Sequence, residues 1–275
     1  MPTSILTEMH ATGRAFDQAG FEVSLVAGIN PAASRKLQEF IRKLAAKRTL
    51  EIGMAMGCST LAILEALPSE GRHTSVDPFQ TATHAYGYRG VGVTMVNRAG
   101  LSGQHRLIEE PNYLALPGLL KAGEKFDLIF IDGWHTFDFA FIDSFYADLL
   151  LREGGILIFD DWGFPCVYQV TKFLEQHKAY KKLGPHTWNE LNLLSKFNHL
   201  RKKVKQEREE WGSICAYEKL ADSRVSPYFC ASTFYPGFRV HRIWARLRGH
   251  EQMTSYTMPV NVGPENAVHS WELQR

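Results

Sequence analysis

The sequence predicts a doubly wound α/β fold built on a mainly parallel sheet. Short apolar strands alternate with helical segments along the chain, which is the pattern of strands joined by crossover helices. The two most apolar runs, residues 128–131 and 156–159, are continuous rather than alternating. Because strands of a parallel sheet are buried on both faces, we expect these two runs to lie at its centre.

The predicted elements follow one another in a regular order. Asn30 and Pro31, followed by apolar residues at three- and four-residue spacing, predict an amphipathic helix that ends near residue 47. Strands are predicted at residues 49–53, 73–77, 105–108, 126–132 and 155–160, with a late strand at 212–219. Helices are predicted at residues 59–67, 92–100, 113–121, 137–151 and 165–178. The chain is therefore expected to be a series of strand and helix units.

This pattern divides the chain into three regions. Residues 1–47 form a predicted N-terminal helical segment, and residues 48–220 form the predicted α/β domain. Residues 221–275 are rich in aromatic residues without a clear period, so they are predicted to be a C-terminal extension. Its aromatic side chains could close over a substrate or contact a second copy of the chain, and the sequence leaves both open.

Composition limits the classes of partner. The 275 residues include 31 Lys and Arg against 29 Asp and Glu, a net charge of +2, which gives no bulk electrostatic reason to bind nucleic acid or an anionic membrane. The four cysteines form no C-x-x-C pair, so neither a zinc site nor a disulfide framework is indicated. With no signal-peptide pattern and no long apolar span, we expect a soluble cytoplasmic protein with a small-molecule partner.

A glycine-containing turn follows the first predicted strand of the α/β domain. Gly53 and Gly57 allow the backbone to turn sharply and approach a ligand, and the next helix offers free N–H groups. Asp77 ends the next strand, 26 residues after Glu51, where an acidic side chain can accept hydrogen bonds from ribose hydroxyls. A plain strand-to-helix turn and a helix cap are the alternatives, but together the two features favour a nucleoside-containing cofactor.

Two further strand ends carry acids and a histidine. Asp132 and His135 follow the strand at 126–132, and Asp160 and Asp161 follow the strand at 155–160. Three carboxylates at one sheet edge would repel one another unless a cation binds them, and a set of oxygen ligands suits Mg²⁺ or Mn²⁺ better than zinc. The alternative is that Asp160 or Asp161 caps the following helix. Tyr86, Tyr88 and Arg89 are further candidates for pocket lining or a lid.

Several motifs together resemble one enzyme family. They are Glu51-Ile-Gly-x-x-x-Gly57-x-Ser59, Asp77, Phe130-Ile-Asp132-Gly-x-His135 and Leu150-Leu-Arg-Glu-Gly-Gly-Ile-Leu-Ile-Phe-Asp160-Asp161. This combination resembles the class I S-adenosylmethionine-dependent O-methyltransferases, most closely the metal-dependent sugar and macrolide-sugar enzymes of antibiotic biosynthesis. The resemblance implies a seven-stranded Rossmann-like methyltransferase fold, with residues 48–220 as the S-adenosylmethionine-binding domain.

The resemblance also implies residue roles. Glu51, Gly53, Gly57 and Ser59 would hold the methionine half and ribose region of the cofactor, Asp77 the ribose hydroxyls and Asn112 the adenine side. Asp132, Asp160 and Asp161 would bind the metal, and His135 would be the general base. Asp132 would take part in catalysis together with His135, and it would also contact the cofactor. Position 161 is Asp where catechol-type relatives usually have Asn, which favours the branch with a histidine base.

The resulting prediction is an S-adenosylmethionine-dependent, Mg²⁺- or Mn²⁺-assisted O-methyltransferase. Its expected acceptor is a hydroxyl of a small molecule, favouring a sugar or a glycosylated natural product, and homo-oligomer formation is left open. Methyl transfer to nitrogen or carbon on the same fold is the first alternative. An NAD-dependent oxidoreductase would share the glycine turn and Asp77 but would not explain Glu51 or the three aspartates. A non-catalytic protein that retains the fold is the third alternative.

Overall fold

The computed structural model describes residues 4–83, 87–186, 198–225 and 257–258. The N-terminal part contains α1 (Ile5–Thr12), β1 (Arg14–Phe16), β2 (Glu22–Ser24) and α2 (Pro31–Leu44). The strand and helix units that follow are β3 (Arg48–Ile52), α3 (Cys58–Leu64), β4 (Arg72–Val76), α4 (Val91–Arg98), a 3-10 turn at Ser102–Gln104, β5 (His105–Ile108), α5 (Asn112–Lys121), β6 (Phe126–Ile131), α6 (Phe137–Leu150) and β7 (Leu151–Phe159). The last elements are α7 (Pro165–His177), β8 (Lys178–Gly184), α8 (Asn198–Trp211), β9 (Cys215–Val225) and β10 (Thr257–Met258).

The main sheet has the order β10-β9-β7-β6-β3-β4-β5, and β8 also pairs with β9. Strands β3 to β7 are mutually parallel, whereas β9 is antiparallel to β7, β8 and β10. The predicted doubly wound, mainly parallel sheet is therefore confirmed, and among the described residues it has eight strands, one more than the resemblance implied. The chain order reverses between β3 and β6, and such a switch point is where open α/β sheets bind ligands.

Register brings the ends of three strands to one level. Ile52 of β3 lies opposite Ile131 of β6, which in turn lies opposite Phe159 of β7. The residues that follow these strands, Gly53, Asp132 and Asp160, therefore emerge side by side. This alignment is the reason why acids that are distant in sequence meet at the sheet edge.

The central strands alternate between two apolar cores. Leu128 and Phe130 face the core shared with helices α1 to α4, while Ile129 and Ile131 face the core shared with α5 to α7. Residues 156–159 of β7 alternate in the same way. Both faces are buried, as the two continuous apolar runs predicted.

Three parts of the fold differ from the sequence-based expectation. The N-terminal segment contains the β1–β2 hairpin between its helices, because strands of three residues are too short to show an alternating pattern. β7 begins at residue 151 rather than 155, where polar residues and two glycines interrupt the apolar run. The lysine-rich β8 was not predicted, and most of the C-terminal extension at 221–275 lies outside the described residues.

Within the described ranges, none of the helices combines the length and the apolar character that crossing a bilayer requires.

Candidate active site

A cavity of about 830 Å³ lies at the carboxyl ends of β3, β4 and β6. Its walls come from the turn after β3, the segment after β4, the start of α5 and the loop after β6. Of the predicted site residues, four line it: Gly53, Asp77, Asn112 and Asp132. Tyr88 and Arg89 line it as well, while Tyr86 lies outside the described residues. Its volume is in the range of cofactor pockets.

Gly53 brings the turn after β3 against the loop after β6. Its backbone has φ +93°, and a Cβ built there would lie 2.0 Å from the carbonyl oxygen of Asp132. An L side chain would therefore be strained and would also clash with backbone. Gly57, with φ +85°, similarly approaches Gly92 at the start of α4. Both predicted glycines are needed for close backbone packing around the cavity floor.

The Asp77 carboxylate organises this turn. Its Oδ2 accepts hydrogen bonds from the backbone N–H of Met54 at 3.0 Å and of Ala55 at 2.8 Å, and from Gln80 Nε2 at 3.1 Å. Oδ1 accepts one from the N–H of Phe79 at 2.8 Å. Burial raises the pKa of Asp77 despite these bonds. A carboxylate oxygen has two lone pairs, so Oδ1 can accept one further hydrogen bond from a ligand.

Glu51 and Ser59 lie beneath the cavity rather than in its wall. The fully buried Glu51 carboxylate accepts hydrogen bonds from Ser59 Oγ at 2.8 Å and Thr60 Oγ1 at 2.9 Å, and contacts His73 Nε2 at 2.7 Å. The structure thus pairs the predicted residues Glu51 and Ser59, and it adds Thr60 and His73, which the sequence analysis did not select. The sequence signal for His73 is that it alternates with Ser75 along β4, which places both polar side chains on one face of the strand.

Three side chains converge at the end of the cavity after β6. His135 Nε2 lies 2.9 Å from Asp161 Oδ2 and 3.8 Å from Asp132 Oδ1, and one ligand atom from each residue lies within 4.8 Å of the others. The side chains of Asp132, His135 and Asp161 are 19%, 33% and 35% exposed. We call this set the Asp-His-Asp cluster.

Electrostatics at this cluster are unbalanced. Burial raises the pKa of Asp132 well above its usual range, and the neighbouring carboxylates of Asp160 and Asp161 raise it further. Asp161 has φ +47°, an uncommon conformation for a residue with a side chain, and this backbone strain accompanies its approach to His135. Repelling carboxylates and a strained residue are typical of sites that a ligand completes.

Asp160 is placed differently from the other predicted metal ligands. It is buried, and its Oδ1 accepts a short hydrogen bond from Ser213 Oγ, in the turn before β9. Burial raises its pKa. In the described part of the chain, the set that converges contains His135 in place of Asp160. Neither Asp160 nor Asp161 caps α7, whose N-cap is Phe164.

Neighbouring groups hold His135 in place. Its ring meets Phe164 edge-on with centroids 5.5 Å apart, and Cys166 Sγ donates to its backbone oxygen at 2.8 Å.

On the Asp161 side of the cluster lies a second cavity of about 250 Å³, lined among others by Trp162, Phe164 and Arg208. Arg208 belongs to α8, and no sequence signal links that helix to the acids.

The family comparison agrees with this architecture. Residues 50–162 match the family model of a methyltransferase domain. With the observed sheet and strand-end acids, this match confirms the resemblance to class I S-adenosylmethionine-dependent O-methyltransferases over residues 50–162.

Individual relatives are similar over part of the chain. Tapetum-specific methyltransferase 1 of Arabidopsis thaliana is 31% identical over 56% of this chain and 64% of its own length. A caffeoyl-CoA O-methyltransferase of Stellaria longipes is 27% identical over 50% of this chain and 55% of its own. The chain thus spans between about half and two thirds of the length of these curated relatives.

A solved structure shows the same fold. The O-methyltransferase from Bacillus cereus, determined in complex with SAH (S-adenosylhomocysteine), aligns with a TM-score of 0.52 and 19% identity, covering 70% of this chain and 84% of that chain. The Rossmann-like methyltransferase fold predicted from the sequence is therefore confirmed.

Proposed function

We propose that the protein is an S-adenosylmethionine-dependent O-methyltransferase that acts on a hydroxyl of a small molecule with the help of a divalent cation. One observation carries this proposal: Asp132 belongs both to the wall of the large cavity and to the Asp-His-Asp cluster. A cofactor in that cavity would therefore have one end beside a group of carboxylates and an imidazole. Methyl transfer to oxygen needs the acceptor hydroxyl placed beside both the methyl donor and a group that takes its proton.

The large cavity is the proposed cofactor site. Asp77 Oδ1 retains a lone pair for a ribose hydroxyl, and Asn112 lies in the wall at the start of α5 for the adenine side. Gly53 lets the turn after β3 approach the ligand closely. We propose that Glu51, Gly57 and Ser59 support the cofactor indirectly, by fixing this turn from below.

Asp132 and Asp161 are the proposed core of the metal site. Their carboxylates fit a hard divalent cation such as Mg²⁺ or Mn²⁺, which would offset the burial and the carboxylate repulsion that raise the pKa of Asp132. The third ligand is either His135, which converges with them, or Asp160, once its hydrogen bond to Ser213 is released. When bound, such an ion stabilises the alkoxide form of the acceptor hydroxyl.

His135 is the proposed general base in the arrangement with Asp160 as the third ligand. When bound, S-adenosylmethionine supplies an activated methyl group, so transfer forms a C–O bond and breaks the C–S bond. The hydroxyl proton then needs an acceptor. His135 Nε2 faces Asp161, so Nδ1 is the nitrogen left for that proton, and the carboxylate would stabilise the resulting imidazolium.

The smaller cavity beside Asp161 is the proposed acceptor side. At about 250 Å³ it accommodates one ring rather than a large molecule, and Trp162 and Phe164 offer aromatic surface beside the charged Arg208. A sugar or a glycosylated natural product remains the preferred acceptor. A phenolic hydroxyl is a second candidate, favoured by the caffeoyl-CoA O-methyltransferase among the relatives.

Calorimetric titration tests the cofactor assignment without knowledge of the acceptor. The protein is titrated with S-adenosylhomocysteine and separately with NAD, each with Mg²⁺ and then with EDTA. We expect binding of S-adenosylhomocysteine and no binding of NAD, which would justify an acceptor screen with a labelled methyl donor, using sugars, glycosides and catechols. Binding of neither compound would overturn the proposal.

A further inference from the structure

Asp143 is a buried carboxyl group of α6 that no step of the proposed reaction uses. Its side chain is 1% exposed, and burial raises its pKa to about 7. Oδ1 accepts a short hydrogen bond from Asn112 Nδ2, whereas Oδ2 has no hydrogen-bond partner among the described residues. A half-satisfied buried carboxyl is costly, so its position beside the cofactor cavity calls for a role.

The bond to Asp143 fixes the amide of Asn112 in the cavity wall. Asn112 Oδ1 accepts from the N–H of Tyr113 at 2.9 Å, while Nδ2 donates to Asp143. With both ends engaged, the amide cannot flip without losing hydrogen bonds. Its remaining N–H and lone pair are therefore held in one orientation.

The other oxygen of the same carboxyl supports the loop after β6. A Cβ built on Gly133 would lie only 3.0 Å from Asp143 Oδ2, so the carboxyl packs directly against this glycine. Gly133 lies between Asp132 and Trp134 in the cavity wall. Asp143 and Gly133 also share a small cavity of about 10 Å³ with His135 and Asp160. One side chain thus contacts the wall at α5 and the loop that carries Asp132 and His135.

We propose that Asp143 is a positioning residue for cofactor recognition, which orients the Asn112 amide toward the purine and sets the place of the loop at Gly133. It does not touch the cofactor itself. This role rests on the proposed function, since it requires the adenosine end of the cofactor to lie beside Asn112. It extends the site to a residue of α6 and links the two ends of the cavity through one carboxyl.

A double-mutant cycle tests the link to Asn112, with the dissociation constant of S-adenosylhomocysteine from calorimetry as the readout. We expect Asn112→Ala and Asp143→Leu each to weaken binding about tenfold, as for the loss of one good hydrogen bond. Because Asp143 acts in part through Asn112, the double variant should bind more tightly than the product of the two separate losses predicts. Asp143→Asn keeps an oxygen acceptor for Asn112 Nδ2 and should restore binding to within about threefold of the parent protein.

A second cycle tests the contact with Gly133. Gly133→Ala should weaken binding in the parent protein, because its Cβ would crowd Asp143 Oδ2. The same substitution should have no further effect in Asp143→Ala, where that oxygen is absent. Asp143→Ala also replaces Asp143→Leu in the first cycle if the leucine variant does not fold.

Asp148 of the same helix provides the matched control. It is also a buried aspartate, but its carboxylate pairs with Lys178 at 2.7 Å and Tyr180 at 3.1 Å, away from the cavity. Asp148→Ala should lower the Tm and leave the affinity for S-adenosylhomocysteine unchanged.

The outcomes separate this inference from the proposed function. If the parent protein does not bind S-adenosylhomocysteine, the proposed function is overturned. If it binds, but the Asp143 variants bind equally well, or the effects of Asn112→Ala and the Asp143 substitution simply add, then only the positioning role is overturned.

Discussion

The two ends of the large cavity are built in opposite ways. At the Asp77 and Asn112 end, polar side chains are held by hydrogen bonds within the protein: backbone N–H groups donate to Asp77, and Asn112 donates to a neighbouring carboxyl. At the Asp132 end, two carboxylates and an imidazole face one another, and each is between a fifth and about a third exposed. The first end is prearranged, while the second retains charge that a ligand must balance.

This contrast indicates that the two ends of the cavity have different roles. Preformed hydrogen bonds reduce the cost of ordering a bound ligand, so the Asp77 end is suited to recognition. Burial and the neighbouring carboxylates raise the pKa of Asp132, and carboxylates kept close together favour binding of a cation, so the Asp132 end is suited to chemistry. Perturbing one end should therefore change turnover, and perturbing the other should change affinity or stability.

Removal of divalent cations should have the largest effect. We expect excess EDTA to abolish methyl transfer, measured with a labelled methyl donor, and added Mg²⁺ or Mn²⁺ to restore it. Binding of S-adenosylhomocysteine should persist in EDTA, because the Asp77 end is held by the protein's own hydrogen bonds. Full activity in EDTA would show that the Asp-His-Asp cluster is not a metal site.

Substitution of His135 should reduce turnover next most strongly. Loss of a general base lowers kcat by about 10²- to 10⁴-fold, so His135→Ala should lose most methyl transfer and keep its affinity for S-adenosylhomocysteine. Cys166→Ala serves as the comparison, since it keeps the imidazole and removes only the donor to the His135 backbone oxygen, so turnover should fall far less than in His135→Ala. Near-normal turnover of His135→Ala would exclude the role as base.

Much of this site could be predicted from the sequence because it depends on strand ends. Asp132 and Asp160 each follow an apolar strand, and parallel strands of matching register must bring such residues to one edge. The direction of each side chain depends on distant partners instead. Asp160 accepts a hydrogen bond from Ser213, and Glu51 contacts His73, but no local sequence pattern predicts either contact.

The same limit explains the role of the helices. The sequence predicted a helix at residues 137–151, but Asp143 can be recognised as a site residue only from the packing of α5 beside α6. Similarly, the mixed charges of α8 gave no indication that Arg208 lines a cavity at Asp161. Local periodicity predicts elements, whereas the pairing of side chains between elements requires the assembled fold.

Substitution of the aspartates after β7 should identify the metal ligands. Asp161 converges with Asp132, whereas Asp160 is engaged by Ser213, so Asp161→Asn should weaken Mn²⁺ binding more than Asp160→Asn does. We expect a loss of about 100-fold for the first and about tenfold for the second, within the range usual for groups around a metal, because Asp160 must release its hydrogen bond to Ser213 before it can bind the ion. Calorimetric or paramagnetic titration with Mn²⁺ measures both. Equal losses would favour the set of three aspartates predicted from the sequence.

The pH dependence of stability should show the smallest effect, and it concerns Asp143. Its pKa of about 7 in the folded protein exceeds the value of about 3.9 in an unfolded chain. Between these values the folded state binds more protons than the unfolded state, so the free energy of unfolding falls as the pH rises. Below pH 4 this contribution is absent, and above pH 7 its full cost applies.

Asp143→Asn removes this titratable group, so comparing the variant with the parent protein isolates the contribution of Asp143. Relative to the variant, the parent protein should lose about 2 kcal/mol of stability between pH 5 and pH 7, since one pKa unit corresponds to about 1.4 kcal/mol. Urea denaturation of both proteins at the two pH values gives the difference. A parent protein that keeps a constant offset from Asp143→Asn over this range would show that Asp143 is ionised throughout. In that case, the buried carboxyl would be stabilised at the Asp77 and Asn112 end by a partner beyond Asn112.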